Sequence, residues 1–97
     1  MMEEVTIEIS PWLSKAVGKT SKVTLTEQIR KGEQLKALLE RIAGKHEAFG
    51  AMIYDVHRGT LYDAVVIFVN NRPIAKDLQY SMQGGDTIVL TPFYSGG

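Results

Sequence analysis

Residues 32–46 read GEQLKALLERIAGKH, and the spacing of their four large apolar side chains decides what surrounds them. Leu35, Leu38, Leu39 and Ile42 fall at i, i+3, i+4 and i+7, one face of an α-helix. Gly32 stands where an N-cap is expected and Glu33 suits the positive start of the helix. Gly44, followed by Lys45 and His46, suits its close. A helix with one apolar stripe is economically buried by laying it across a small sheet, so its flanks are expected to be strands.

Toward the N-terminus that expectation is met twice. In EVTIEIS (residues 4–10), Val5, Ile7 and Ile9 alternate with Thr6 and Glu8, the period of a half-buried strand. KVTLTE (22–27) resumes the alternation with Val23 and Leu25 inward. Between them SPWLSKAVGKTSK (10–22) reads as a loop, broken by Pro11 and turned at Gly18, and its Trp12 fits no motif. The two strands form a hairpin with a long connection.

Toward the C-terminus, residues 47–62 admit two readings. Phe49, Met52, Ile53 and Val56 fit a helical face, while MIYDV and TLYDA fit the arms of a short hairpin around HRGT. VVIFV (65–69) reads as a strand buried on both faces. Asn70-Asn71 suits a tight turn, and Pro73 keeps the next strand short or at an edge. MQGGDT (82–87) is a turn, and TIVLT (87–91) is the last strand, with Ile88 and Leu90 on one side and Val89 on the other. The order is an α+β one: a mixed sheet of four or five strands with one main helix packed across it. The first and last strands are expected side by side and parallel at the centre.

Composition narrows the function. Ninety-seven residues make one domain, and eleven basic side chains cancel eleven acidic ones. The lysines are scattered singly, so no stripe faces a row of phosphates and nucleic acid is not expected as a partner. The longest apolar run, Ala64–Val69, is far too short to span a bilayer, and MMEEV is acidic where a signal peptide needs positive charge. A cytoplasmic protein with no membrane partner is expected. The absence of cysteine excludes a disulfide framework, a thiolate metal site and a cysteine nucleophile. His46 and His57 have no second ligand at metal spacing, so no metal site is expected. GGD (84–86) is not followed by a helix, as a phosphate loop requires. Glu3 and Glu4 face opposite ways on a strand.

What remains is the ending, TPFYSGG (91–97). Without a Cβ, Gly96-Gly97 can be threaded through a narrow channel and approached from either face. The group delivered there is the Gly97 α-carboxylate, which is inert until another protein activates it with ATP. The domain is expected to occupy residues 1–94 and the Gly-Gly tail residues 95–97. So short a tail brings the body of the domain against the partner, with Phe93, Tyr94 and Val89 as the expected contacts.

NNRPI (70–74), GGDTIVLTPFYSGG (84–97) and the strand–strand–helix opening resemble the ubiquitin-related β-grasp sulfur carriers. The likeness is to the MoaD-like small subunit of molybdopterin synthase, with the ThiS-like thiamin-pathway carrier as a relative. Asn70-Asn71, Gly85-Asp86, Pro92 and Gly96-Gly97 hold the places of the family's Asn-Gly, Gly-Asp, proline and terminal Gly-Gly. A single proline and Asn71 in place of glycine depart from the pattern; the long 47–62 insertion leans toward the molybdopterin type. The resemblance implies that Gly97 is adenylated by a ubiquitin-activating-like adenylyltransferase and converted to a thiocarboxylate by a sulfur donor. The charged carrier then serves the molybdopterin synthase large subunit. ATP and Mg²⁺ belong to the activating partner, and the chain itself binds no cofactor. The alternatives are a thiamin-pathway carrier, a modifier conjugated to lysines, and an interaction module whose tail is incidental.

Overall fold

The computed structural model describes residues 2–74 and 78–92. The chain runs β1 (Met2–Ile9), a 3₁₀ turn (Ser14–Val17), β2 (Val23–Arg30), α1 (Leu35–Lys45), α2 (Glu47–Met52), β3 (Tyr54–Asp55), β4 (Thr60–Leu61), β5 (Val65–Val69), β6 (Arg72–Pro73) and β7 (Thr87–Pro92). Five strands form one mixed sheet in the order β2-β1-β7-β5-β6. β1 and β2 are antiparallel, with Ile7 opposite Leu25 and Ile9 opposite Val23. β7 lies parallel to β1, Ile7 beside Ile88 and Ile9 beside Leu90, and antiparallel to β5, Ile67 beside Leu90. First and last strands thus meet at the centre, as the element order requires.

Alternation explains the layers. Val5, Ile7 and Ile9 of β1, Ile88 and Leu90 of β7, and Val65, Ile67 and Val69 of β5 are at most 3% exposed. Leu35, Leu38, Leu39 and Ile42 of α1 belong to the same core and are at most 1% exposed. Burying a side chain of this size stabilises by roughly 1.5–3 kcal/mol, so this layer carries the domain. Val23 and Leu25 are only half-buried, because β2 is an edge strand.

Four local readings change. VVIFV is fully buried on one face only: Val66 and Phe68, on the other, are half-buried. The N-cap of α1 is Gln34, not Gly32, and it makes no side-chain cap. Gly32 occupies a left-handed turn at φ +76° instead. The first free amides of the helix find carbonyls across the fold, Leu35 N–H on Tyr80 O at 2.9 Å and Lys36 N–H on Leu78 O at 3.0 Å. Gly44 lies within the last turn of α1, and extended His46 separates the two helices. The connection after β1 is not bare loop, since Leu13, Ala16 and Val17 are buried around the 3₁₀ turn.

Residues 47–62 take up each reading in part: the helix ends at Met52, and Val56, expected on its apolar face, is exposed beyond β3. α2 buries Phe49, and then β3 and β4 pair as a two-residue hairpin around HRGT. Buried Tyr54 ties this hairpin to α1 by donating to the Glu40 carboxylate at 2.8 Å. Burial, then that carboxylate, pushes the phenol's pKa up, so it remains a donor.

Candidate functional site

β7 leads to the residues for which a function was read, so its two ends define the site. At its start, Asn70 and Asn71 adopt φ 51° and 70°, the left-handed pair of a tight hairpin turn. The Asn70 amide group donates to Asp86 Oδ1 at 2.9 Å, and its carbonyl oxygen accepts from Thr87 N–H at 2.9 Å. Asp86 is 6% exposed. Its other oxygen accepts from Gln83 N–H at 2.9 Å and from the Tyr80 hydroxyl at 3.0 Å. Burial first, and then this carboxylate, raise the Tyr80 pKa and keep its proton in place. Gly85, at φ +90°, gives its N–H to Glu4 O at 2.8 Å, and Asp86 O accepts from Thr6 N–H at 3.0 Å. The Asn-Asn and Gly-Asp motifs are therefore fasteners that set the register of β7 against β1 and β5.

At its far end the hydrogen bonds of the described residues of β7 are main-chain ones, and buried Leu90 anchors the strand in the core. Ser10 N–H donates to Leu90 O at 3.0 Å, Thr91 pairs with Val66 and Pro92 with Val65. Val89 is half-buried on the uncovered face, between Glu8 of β1 and Phe68 of β5. Phe93, Tyr94, Gly96 and Gly97 lie outside the described residues, as does the boundary between domain and tail. Of the residues singled out from sequence, the structure therefore places Val89 and the strand that delivers the others.

The described residues offer little chemistry of their own. No three His, Asp or Glu side chains among them gather as a metal site. Ser14 Oγ is spent on Pro11 O at 2.9 Å, His46 separates the helices, and His57 lies exposed in the β3–β4 turn. Two open cavities of about 380 and 390 Å³ are lined by Glu3, Lys31, Ser81, Gln83 and Gly84, and by Met2, Gln28, Arg30, Glu33, Arg41 and Lys45. Neither includes a residue from the far end of β1 or β7. Among the described residues, no helix is long and apolar enough to cross a membrane.

Two features of the far end escaped sequence reading. Val66 and Phe68 join Val89 on the open face, but the alternation is hidden by five apolar residues in a row. Trp12, two residues past the Ser10–Leu90 hydrogen bond, is 73% exposed. Its signal was the buried set Leu13, Ala16 and Val17 at helical spacing, which leaves its neighbour outside.

Comparison with solved structures places this architecture among small ubiquitin-like proteins. SAMP1 from Haloferax volcanii superposes with a TM-score of 0.76 at 22% identity, over 97% of this chain and 99% of that one. A putative molybdopterin converting factor subunit 1 from Pyrococcus furiosus gives 0.68 at 21% identity, over 93% and 97%. A chain of the BexX/CysO complex from Amycolatopsis orientalis gives 0.69 at 21% identity, over 96% and 99%. No curated protein sequence matches the chain. The ThiS family model matches residues 13–97, all but the first strand and the turn after it. The chain therefore belongs to the ThiS family, and its fold is the β-grasp of the ubiquitin-like sulfur carriers and modifiers.

Proposed function

We propose that the chain is a sulfur carrier whose Gly97 α-carboxylate is activated as an acyl-adenylate and converted to a thiocarboxylate. The carrying observation is the asymmetry of β7: its start is locked by side-chain hydrogen bonds, and five residues past its end the sequence reaches Gly96-Gly97. In the first step a Gly97 carboxylate oxygen attacks the α-phosphorus of ATP and pyrophosphate leaves. A donor at the oxidation level of sulfide then delivers HS⁻ to the acyl carbon, and the C–O bond to AMP breaks. AMP and a proton leave, and the sulfur stays on Gly97 as the thiocarboxylate, with ATP and Mg²⁺ held by the adenylyltransferase. Gly96 keeps the approach to the carboxylate narrow enough to thread, and Phe93, Tyr94 and Val89 contact the partner.

The acceptor we favour is the pterin precursor on the large subunit of molybdopterin synthase. Likeness to the Pyrococcus molybdopterin converting factor subunit supports this reading. A second reading, conjugation of the same activated carboxyl to lysines, is supported by the likeness to SAMP1, a small archaeal modifier protein. The two diverge after the adenylate. The test is reconstitution of molybdopterin formation with the thiocarboxylate form and the large subunit. Turnover supports the first reading, whereas Gly97-to-lysine linkages in cell digests without turnover support the second.

A further inference from the structure

Trp12 is the only tryptophan of the chain, and at 73% it is the most exposed large hydrophobic side chain among the described residues. An indole left in water is costly unless something covers it, and tryptophan is over-represented among residues that anchor interfaces. Here the ring is also held out on a rigid base. Leu13 N–H donates to Ser10 O at 3.0 Å, and Ser14 N–H and Oγ both donate to Pro11 O. Leu13 and Ser14, the next two residues, are buried. Little backbone freedom remains to be lost on binding.

Position gives the ring its partner. β1 and β7 are parallel, so the turn carrying Trp12 and the chain leading to Gly97 depart from the same end of the sheet. Trp12 lies two residues past Ser10, and Pro92 two past Leu90, across one hydrogen bond. Two residues of chain span at most roughly 7 Å, so their Cα atoms lie within roughly 20 Å of each other. An ordinary interface of about 800 Å² per partner is roughly 30 Å across, so one centred between the strand end and the turn covers both. The charge around it is one-sided. Residues 10–22 hold Lys15, Lys19 and Lys22 and no carboxylate. Lys22 is paired with Glu8 at 2.8 Å, whereas the ion pairs among the described residues include neither Lys15 nor Lys19.

We propose that Trp12, flanked by Lys15 and Lys19, is the anchor by which the activating enzyme seats this domain, the indole entering an apolar pocket rimmed by carboxylates. The inference rests on the carrier reading above. It names the activating enzyme because sulfur transfer and lysine conjugation both pass through the adenylate. Trp12 is a positioning residue: it contacts the enzyme and not the reacting carboxylate.

Carrier-dependent ATP–pyrophosphate exchange by the activating enzyme tests this with the full chain. Trp12→Ala is expected to raise the KM for the carrier by roughly ten- to a hundredfold with kcat preserved, and Trp12→Phe to recover part of the loss. Lys15→Glu with Lys19→Glu is expected to raise KM and weaken its dependence on salt. Incorporating 5-fluorotryptophan gives one ¹⁹F resonance, expected to shift and broaden when the enzyme is added. Wild-type chain that is adenylated, with an unchanged KM for Trp12→Ala and an unmoved ¹⁹F line, overturns the inference and leaves the carrier reading standing. A ¹⁹F line that responds to anionic vesicles or RNA but not to the enzyme also overturns it. Wild-type chain that the enzyme cannot adenylate overturns both.

Discussion

The two ends of β7 differ in what holds them. At the start, a buried carboxylate, an asparagine side chain, a phenol and two backbone amides interlock, so the strand enters the sheet in a single register. At the far end the hydrogen bonds of the described residues are main-chain ones, an exposed indole stands alongside, and the sequence runs on to two glycines. Under the carrier proposal the difference is a division of labour. One end of the strand supplies stability, and the other is left for delivery. The start contains the Asn-Asn and Gly-Asp motif residues, yet it is the opposite end that is proposed to react.

Changes at the two ends should therefore separate activity from stability. The largest effect is expected from deleting Gly97 or adding one residue after it. Adenylation should fall to background while the thermal midpoint stays within about 2 °C, because a tail contributes little to folding. A large loss of thermal stability would show instead that the ending is structural. Next, Asp86→Ala leaves the Asn70 amide, the Gln83 N–H and the Tyr80 hydroxyl without their acceptor. Urea unfolding should report a loss of about 3 kcal/mol, with adenylation kinetics of the folded fraction unchanged. An equal loss in both measurements would merge the two ends into one functional unit.

A smaller effect is expected from Val89→Ser on the open face. The carrier's KM should rise about fivefold while stability falls by about 1 kcal/mol or less, since the side chain is only half-buried. The smallest concerns Glu33, far from the delivering end. Burial alone raises its pKa, but the Arg30 amide at 2.9 Å and the Arg41 guanidinium outweigh this and hold it below its ordinary 4.5. A carboxylate lowered in the folded state stabilises above its unfolded value, and that contribution is lost as pH falls through the folded one. Wild-type stability should therefore decline below about pH 4.5 more steeply than that of Glu33→Gln, with no difference in adenylation at neutral pH.

Much of the fold is legible in the sequence because one period dominates each element. The Leu35–Ile42 stripe, the Val5–Ile9 alternation and the Asn70-Asn71 turn each admit one reading, and together they imply the parallel pairing of β1 with β7. Residues 65–69 misled because an apolar run looks the same whether one face or both are covered; the number of helices had to decide. Gly32 misled because the donors it was to cap are satisfied by Leu78 and Tyr80 carbonyls, which are more than forty positions away in the chain. The proposed site is read from the ending, which lies outside the described residues, and the half-buried face of Val89 follows from its alternation with Ile88 and Leu90. Trp12 was not, because its meaning lies in the parallel neighbour that brings it to the same end of the sheet.

If the chain is a sulfur carrier, the sulfur sits at Gly97. Intact-protein and C-terminal peptide mass spectrometry, after incubation with the activating enzyme, ATP and a sulfur donor, measures this directly. Replacement of one oxygen by sulfur, confined to the peptide ending in Gly97, is the predicted result. An unchanged mass with an enzyme that consumes ATP in the chain's presence, or sulfur located on any other residue, would contradict it.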